Sequence, residues 1–508
     1  MRPPLWYPPI ELSMAERPII KRIRRAKLFV FLRHHRHELF TDAFQQELAT
    51  LYKESLQGSP PVPPAQLALA PILQASTRVS DDEVMEVTTM DRRWQMVLNG
   101  LDSASAPCRK GTLVALRHRL IAQQMDRRLL ERTVESAAAS GALGARQWRA
   151  ALDSSPLWGA GRVAETDNLL GHALRQAVGV IARQQGRELP AVANEAGAPL
   201  VSGASLKAAL AWDGDEPTAR QQALTIVLEA LHAVDHWVAT QPTLGEAAPE
   251  VAASMAVACQ VPAQDVTCRP DGTPTLRQGV AEERRISVED GEMRHGGKSR
   301  SLLIAGYKRQ GLRDLESGLV VALGVTPANV PEASVTEAIA IDLAAQQRTL
   351  AELHIDRAYL ASTLVQQRSA ALASVCKAWP VPQGPYFPKS AFHLDWGRRA
   401  VHGPGGVVMP FEPGGAVQCP ASTCASGALR ERCTTSPAGR RVSIHPAEAL
   451  LTEWRERQRT PQGRAKLRER VAVAHALAHM GHWQGRRARY RGVRKNVFDL
   501  RRCAVVHN

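Results

Sequence analysis

Two aspartates, Asp153 and Asp356, are placed for metal chemistry. Asp356 follows the short apolar run LAELHI, and Asp153 follows another apolar run in QWRAALDSSPLWG. An acid at the end of a strand is held by the scaffold while its oxygens stay open. Two such carboxylates can bind one or two divalent cations, which activate an attacking oxygen and stabilise the leaving oxygen of a phosphodiester. The alternative is that both are ordinary strand-end acids or helix caps.

A basic segment near the C-terminal end is the second candidate feature. Residues 455–508 contain 15 Lys and Arg against three Asp and Glu, in a chain of 508 residues with a net charge of +15. Such a density of cations is typical of phosphate neutralisation, and interleaved aromatic rings can stack on bases. A solvated charged face is the alternative. The predicted DNA-binding residues are Arg486, Arg487, Arg489, Tyr490, Arg491, Arg494 and Lys495.

Three cysteines in VQCPASTCASGALRERC are candidate metal ligands: Cys419, Cys424 and Cys433. A closed zinc site needs four ligands, commonly including a closely spaced Cys pair. The spacings here are four and eight residues, without a CxxC pair. Structural zinc is therefore doubtful.

Composition and motifs exclude several other classes of protein. No apolar run approaches the roughly 18 residues of a membrane span, and the N-terminal residues lack the layout of a signal peptide. We therefore expect a cytoplasmic protein without a membrane partner. The stretch GEMRHGGKS falls short of a phosphate-binding P-loop, because Gly291 lies one residue too early. A pI near 9.8 favours nucleic acid as the partner.

The elements that must position these residues are predicted to form an α/β fold. After Arg300, two strand-like runs joined by the turn DLESG precede a helix over 332–347, the strand before Asp356 and a helix in YLASTLVQQRSAALASV. This order favours a mixed sheet flanked by helices. Upstream of Asp153 the pattern is helical, with a Ser80–Glu83 capping box starting a helix that runs to Leu98. These helices could form a helix-turn-helix-like DNA reader or a plain packing domain.

The predicted domain division follows these changes of pattern. It comprises a flexible tail (1–24), an all-helical N-terminal DNA-binding domain (25–140), a core in three pieces (141–160, 286–400 and 441–508) that ends in a basic tail, a helical insertion (161–285) and a Cys-containing insert (401–440).

Several phrases together resemble the DDE transposases of bacterial insertion sequences, which have an RNase H-like catalytic core. ALDSSPLWGAGR resembles the segment with the first catalytic Asp, and LHIDRAYLAS the segment with the second. DGEMRHGGKSRSLLIAGYKRQGLRD resembles the strand region between them. GRAKLRERV and RRARYRGVRKN resemble the last helix and its tail, and SDDEVMEVTTMDRRWQMVL the helical domain in front. The resemblance spans most of the chain.

The resemblance implies metal-dependent cleavage and transfer of DNA strands, with Asp153 and Asp356 as catalytic ligands of Mg²⁺ or Mn²⁺. It also implies double-stranded DNA partners, namely the terminal inverted repeats and the target, and a homo-oligomer assembled on DNA.

Two positions depart from the family pattern. The third acid of the family, a Glu on the last helix, falls at Ala474, and Gly427 stands where a partner of Cys424 is expected, so the insert resembles a degraded zinc ribbon. We therefore hypothesise that this copy is inactive. The alternatives are a non-catalytic DNA-binding protein derived from a transposase and a basic scaffold protein without sequence preference.

Overall fold

The structure is a computed structural model that describes residues 3–53, 61–101, 103–141, 147–203, 206–210, 216–241, 248–279, 281–299, 301–380 and 384–508. Over these residues the chain is a mixed α/β protein in which helices precede, interrupt and follow a six-stranded sheet. The predicted α/β class is confirmed at this level. Residues 142–146, which follow the predicted domain boundary at 140–141, lie outside the described residues.

In the part of the chain that the structure describes, eight helices precede the first strand: α1 (Glu16–Arg22), α2 (Lys27–Leu39), α3 (Asp42–Ala49), α4 (Pro64–Thr77), α5 (Asp81–Met90), α6 (Arg92–Leu98), α7 (Lys110–Ala122) and α8 (Met125–Ala139). The Ser80–Glu83 capping box is confirmed at the start of α5. The helix predicted to continue to Leu98 ends at Met90 instead. Asp91 has extended backbone geometry and caps α6 by accepting a hydrogen bond from the backbone N–H of Arg93.

The described part of the predicted flexible tail, residues 3–24, lies against α2 and α3. Glu16 is buried, and its carboxylate accepts hydrogen bonds of 2.5 and 2.8 Å from the guanidinium of Arg33. The backbone N–H of Trp6 donates to the side chain of Gln45 at 2.7 Å. The Pro-rich composition gave no sign of these contacts, because each partner lies in a later helix.

Strand β1 (Gln147–Trp158) leads into a segment with its own hydrophobic core. Its elements are α9 (Thr166–Gln185), α10 (Leu189–Glu195), α11 (Leu206–Ala209), α12 (Pro217–Thr240), α13 (Pro249–Asp265), β2 (Val266–Cys268) and β3 (Pro274–Leu276). Helices α9 and α12 lie within the predicted helical insertion, 161–285. Leu174, Val234 and Val251 are fully buried among them, so this segment packs largely on itself.

The chain then returns to the central sheet through β4 (Arg294–Gly297), β5 (Leu303–Asp314), β6 (Val320–Pro327), α14 (Thr336–Ala345), β7 (Thr349–Ile355), α15 (Thr363–Gln366) and β8 (Ala373–Cys376). The β5–β6 hairpin and α14 agree with the prediction. The long helix predicted after Asp356 is wrong. A 3₁₀ turn and the single turn of α15 are followed by β8, whose buried residues pair in parallel with β7. Sheet pairing overrides the helical pattern of this segment.

The sheet has the order β4–β5–β1–β7–β8, with β6 also on the outer edge of β5. Strand β5 is antiparallel to β1 and β6, whereas β7 is parallel to both β1 and β8. The pairing of β1 with β7 extends to Ala151 opposite His354, and β1 continues well beyond it. Asp153 therefore lies in the middle of its strand, not at the end as predicted.

Residues 393–443, which include the predicted Cys-containing insert (401–440), form a small unit with two short sheets. Its elements are β9 (His393–Asp395), β10 (Ala400–His402), β11 (Val408–Pro410), β12 (Ala416–Gln418), α16 (Ala421–Ser426), α17 (Arg430–Cys433) and β13 (Arg441–Ser443). Strands β9 to β11 form one sheet, and β12 pairs with β13. Phe392, Val401 and Phe411 lie in its core.

The chain continues through α18 (Glu448–Arg459), α19 (Pro461–Glu469), α20 (Val471–Gln484) and α21 (Val493–His507). Thr460 caps α19, and Pro461 is the first residue of this helix. Helix α20 packs on β1 and β5, and α21 packs on α4, α8 and β6. The predicted basic tail thus contains a helix whose Phe498 and Cys503 share a core with the N-terminal helices. None of the described helices is long and apolar enough to cross a membrane.

Candidate active site

Asp153 and Asp356 occupy neighbouring positions at the end of β7. The register pairs Ala151 with His354, and two further residues along both strands bring Asp153 level with Asp356. Side chains two residues apart point to the same face of a sheet. The described pairing of β7 with β1 stops before Asp153, so this edge of β1 is open. The fold thus brings together the two aspartates that the sequence singled out.

The carboxylate of Asp153 is flanked by two cations. Its Oδ1 accepts a hydrogen bond from the backbone N–H of Ser154, and its Oδ2 accepts one from Nη1 of Arg470, both at 2.8 Å. Nζ of Lys298 lies 3.8 Å from Oδ1. The side chain is only 13% exposed, so Arg470 and Lys298 neutralise much of its charge at short range.

Asp356 begins a 3₁₀ turn, Arg357–Tyr359, and caps it. Its Oδ1 accepts a hydrogen bond of 2.9 Å from the backbone N–H of Ala358. Burial raises the pKa of the Asp356 carboxyl, and the nearby carboxylates of Glu332 and Asp153 raise it further. Mutual repulsion among carboxylates disfavours their charged forms and favours a bound cation. This side of the site is therefore short of positive charge.

A third carboxylate, Glu332, reaches the same site. It begins the 3₁₀ turn Glu332–Val335, which follows β6, and only 8% of the residue is exposed. Its Oε1 accepts a hydrogen bond from Nζ of Lys298 at 3.2 Å, and the same ammonium donates to Oγ of Ser154. Glu332 is not among the site residues predicted from the sequence. The available signal was its position at the start of a predicted helix directly after a strand.

A second group of potential ligands lies further along the same face of the sheet. The ligand atoms of Glu352, His354 and Glu469 lie within 4.8 Å of one another. Arg149 contacts both carboxylates, and Lys466 also contacts Glu352. Burial would raise the pKa of Glu352, but hydrogen bonds from Lys466, His354 and Arg149 lower it to about 2. We interpret this group as an ion-paired cluster that joins β1, β7 and α19.

The sequence contained a signal for part of this cluster. Glu352, His354 and Asp356 alternate in LAELHID, which places all three on one face of a strand. We recognised only Asp356, because the other two have partners that are distant in the chain.

Ala474, at the position expected for the third acid, is exposed on α20. Arg470 lies four residues before Ala474, a spacing that places two residues on the same face of a helix. Arg470 is the residue that contacts Asp153. The carboxylate of Glu469 instead pairs with Arg149, with 2.5 Å between Oε2 and Nη2. The C-terminal helices therefore reach Asp153 through a cation.

The predicted DNA-binding residues have two kinds of environment. Arg486, Arg487, Arg489, Arg491 and Lys495 are exposed, whereas Tyr490 and Arg494 are partly buried. Arg494 pairs with buried Asp126, and the guanidinium groups of Arg117 and Arg502 lie 5.2 and 5.7 Å from the centre of the Tyr490 ring. The guanidinium groups of the exposed arginines also contact protein: Arg487 donates to the carbonyl of Gly159, Arg489 to that of Val79, and Arg491 pairs with Glu289. A role of these cations in DNA binding stays a prediction.

Cys419, Cys424 and Cys433 are free thiols on one side of the core of the insert. Burial, together with a hydrogen bond to Cys424, raises the pKa of the Cys419 thiol to about 11. Zinc binds thiolates in closed sites of four ligands, so these three thiols leave such a site one ligand short. In the part of the chain that the structure describes, the cluster at Glu352, and not these thiols, has its ligand atoms within 4.8 Å.

Two segments match known protein families. Residues 21–119 match a family described as Transposase domain (DUF772), and residues 415–508 match Transposase DDE domain. No curated protein and no solved structure matches the chain significantly. The two family matches support a DDE transposase of an insertion element, as the resemblance predicted. The first match ends before Asp153 and the second begins after Asp356, so neither assigns a role to these residues.

Proposed function

We propose that the chain binds the terminal inverted repeats of an insertion element and cleaves and transfers DNA strands, with Asp153 and Asp356 as ligands of Mg²⁺ or Mn²⁺. The observation that carries this proposal is the meeting of Asp153, from the middle of β1, with Asp356, from the end of β7. The two family matches on either side of them support the same function.

The donors at this site suit a hard divalent cation. Carboxylate oxygens are the ligands that Mg²⁺ and Mn²⁺ prefer. Lys298 and Arg470 already bring positive charge to Asp153, whereas Asp356 lies near the carboxylates of Glu332 and Asp153. When bound, such a cation stabilises the charge that develops on a phosphodiester during displacement.

The protein groups around the pair hold it in place. The backbone N–H of Ala358 orients Asp356, and that of Ser154 orients Asp153. Beneath them, the cluster of Glu352 with Arg149 and Lys466 ties β1, β7 and α19 together. An RNase H-like core is supported by this arrangement, in which antiparallel β6, β5 and β1 continue into parallel β7 and β8. Both aspartates lie where the parallel pairing of β1 with β7 ends.

Double-stranded DNA is the proposed partner, and the basic segment supports it. The backbone N–H of Trp158 donates to the carbonyl of Arg486, and the N–H of Ala488 donates to the carbonyl of Trp158. These bonds fix the exposed cations at the end of β1, five residues beyond Asp153, which corresponds to about 17 Å along a strand. A duplex that contacts them can therefore also reach the acid site. We further propose that the protein acts as a homo-oligomer on DNA, in the cytoplasm.

Ala474 favours a second candidate function, a DNA-binding protein without strand cleavage. Alanine has no oxygen ligand, and Arg470 on the adjacent turn contacts Asp153. Such a protein would occupy the inverted repeats and repress an active relative.

A cleavage assay separates the two candidates. The substrate is DNA that carries the element's own ends, incubated with the full chain and Mg²⁺ or Mn²⁺. Cutting that is abolished by Asp356→Asn supports the transposase. Sequence-specific gel shifts without nicking, and cutting gained on Ala474→Glu, support the repressor and contradict catalysis by the natural chain. Binding without preference for any sequence contradicts both.

A further inference from the structure

We infer that Glu332 supplies the third carboxylate of the cation site formed by Asp153 and Asp356, in place of an acid at position 474. This inference rests on the proposed function, because it takes the two aspartates as ligands. It adds a residue from a different element, the turn after β6, which lies 142 positions before Ala474 in the chain.

The ammonium of Lys298 connects Glu332 to the aspartate site. Its Nζ lies 3.2 Å from Oε1 of Glu332 and 3.8 Å from Oδ1 of Asp153, and it also donates to Oγ of Ser154. One cation thus contacts oxygens from β1 and from the turn after β6. A position that already holds a monovalent cation between two carboxylates has the electrostatics that a divalent cation requires.

Glu332 has an oxygen without a partner. The residue is more than nine-tenths buried, and its Oε2 makes no hydrogen bond to any described residue. A buried carboxylate oxygen in this state costs free energy, because it has lost water without gaining a donor. Such groups occur where a ligand completes the site. The free oxygen belongs to the same carboxylate that Lys298 links to Asp153.

Local packing brings Glu332 towards Asp356. The turn Glu332–Val335 contacts the turn Arg357–Tyr359, so the residues that begin the two turns approach each other. The carboxylates of Glu332 and Asp356 are close enough to interact electrostatically. Nζ of Lys308 donates to the carbonyl of Val330 at 3.2 Å and so fixes the chain just before Glu332. These contacts depend on β5 and β6 and not on α20.

In this proposal, the ammonium of Lys298 occupies the cation site, and a bound metal ion displaces it. It is 25% exposed and follows β4, so its side chain can swing into solvent without breaking the sheet. A divalent cation at the same oxygens has twice the charge and stronger attraction to all three carboxylates. Removal of Lys298 should therefore strengthen cation binding, whereas removal of Glu332 should weaken it.

The test is Mn²⁺ binding to the full chain without DNA, measured by calorimetry and by the paramagnetic signal of free Mn²⁺. Four variants are compared with the natural chain: Glu332→Gln, Asp356→Asn, Lys298→Met and Ala474→Glu. Glu337→Gln is the matched control, since Glu337 is exposed on α14, five residues after Glu332. Circular dichroism and the thermal midpoint of each variant report whether it folds.

We expect Glu332→Gln and Asp356→Asn each to weaken Mn²⁺ binding at least tenfold, Lys298→Met to tighten it several-fold, and Glu337→Gln to leave it unchanged. We expect Ala474→Glu to remain within about twofold of the natural chain. Folded Glu332→Gln that binds like the natural chain, while Asp356→Asn does not, overturns the role of Glu332 and leaves the proposed function intact. Tenfold tighter binding by Ala474→Glu, or weaker binding by Lys298→Met, also overturns the inference. No saturable binding by the natural chain overturns the metal site itself.

Discussion

Nη1 of Arg470 lies 2.8 Å from Oδ2 of Asp153, so the junction between α19 and α20 reaches the acid site through a guanidinium. This pair joins residues that are 317 positions apart. It holds the C-terminal helices against β1 and also competes with any metal ion for Asp153. The same contact is therefore expected to stabilise the fold and to oppose cation binding.

Replacement of Arg470 by alanine should separate these two effects. We expect the free energy of unfolding to fall by about 1–2 kcal/mol, because a hydrogen-bonded, largely buried carboxylate loses a charged donor. Mn²⁺ should bind several-fold more tightly, since a positive charge is removed. Urea unfolding and Mn²⁺ titration measure the two quantities, and exposed Arg468→Ala is the control. Weaker Mn²⁺ binding by a folded Arg470→Ala protein would contradict this account.

Glu352 should contribute to acid sensitivity. Its pKa is about 2, below the ordinary value of 4.5. A lowered pKa in the folded state gives stability that is present above pH 4.5 and is lost as the pH falls from 4.5 towards 2. The full effect is on the order of 3 kcal/mol. Unfolding curves of Glu352→Gln should show lower stability at pH 7 and a shallower decline in this window. An unchanged decline, equal to that of exposed Glu456→Gln, would argue against it.

Gly296 should not tolerate a side chain. A Cβ on this residue of β4 would lie 2.0 Å from the carbonyl oxygen of Ala328. The clash is with backbone, so Gly296→Ala must displace the strand that precedes Lys298 or the loop that leads to Glu332. We expect a loss of about 1–3 kcal/mol in thermal or urea unfolding. Gly111→Ala is the control, because its Cβ would meet nothing within 4 Å. Equal stability of the two variants would show that the backbone near Ala328 moves to accept the added Cβ and would contradict this prediction.

The exposed and the buried cations of the basic segment should respond differently to substitution. Arg491 makes only a surface ion pair with Glu289, and Lys495 is exposed. Their double replacement by alanine should lower the salt dependence of DNA binding by about one unit per lost phosphate contact and leave the thermal midpoint unchanged. Arg494→Ala should instead lower stability by about 1–3 kcal/mol, because Asp126 is buried.

Gel shifts over a range of salt concentrations and thermal unfolding check both expectations. Unchanged DNA affinity of the double variant would exclude these two residues from the DNA surface.

Local patterns in the sequence predicted much of the scaffold. The Ser80–Glu83 capping box, the β5–β6 hairpin and the strand before Asp356 each depend on neighbouring residues, and each is present. The positions of Asp153 and Asp356 allowed either a shared metal site or two ordinary strand-end acids. Their meeting was implied by the family resemblance, because no local pattern links two strands so far apart.

What the sequence did not predict depends on distant partners. The sequence of β8 has a helical pattern, but its residues pair with β7 and form a strand. The sequence shows Glu332 only as the first residue of a predicted helix. In the structure, Lys298 links it to Asp153. The sequence shows Arg494 as one of several cations in a basic segment. In the structure, it pairs with buried Asp126. The fold determines how deeply each of these residues is buried and which charged groups surround it, and these properties cannot be read from a single sequence.

The most direct test of the metal site is to map it with iron. Fe²⁺ takes the same oxygen ligands as Mg²⁺ and, with ascorbate and peroxide, cuts the polypeptide next to where it is bound. The account predicts fragments that end near residues 153 and 356, suppressed by excess Mg²⁺ and absent in Asp356→Asn. Cuts confined to other parts of the chain, or a pattern that Asp356→Asn does not change, would contradict a cation held by these two aspartates.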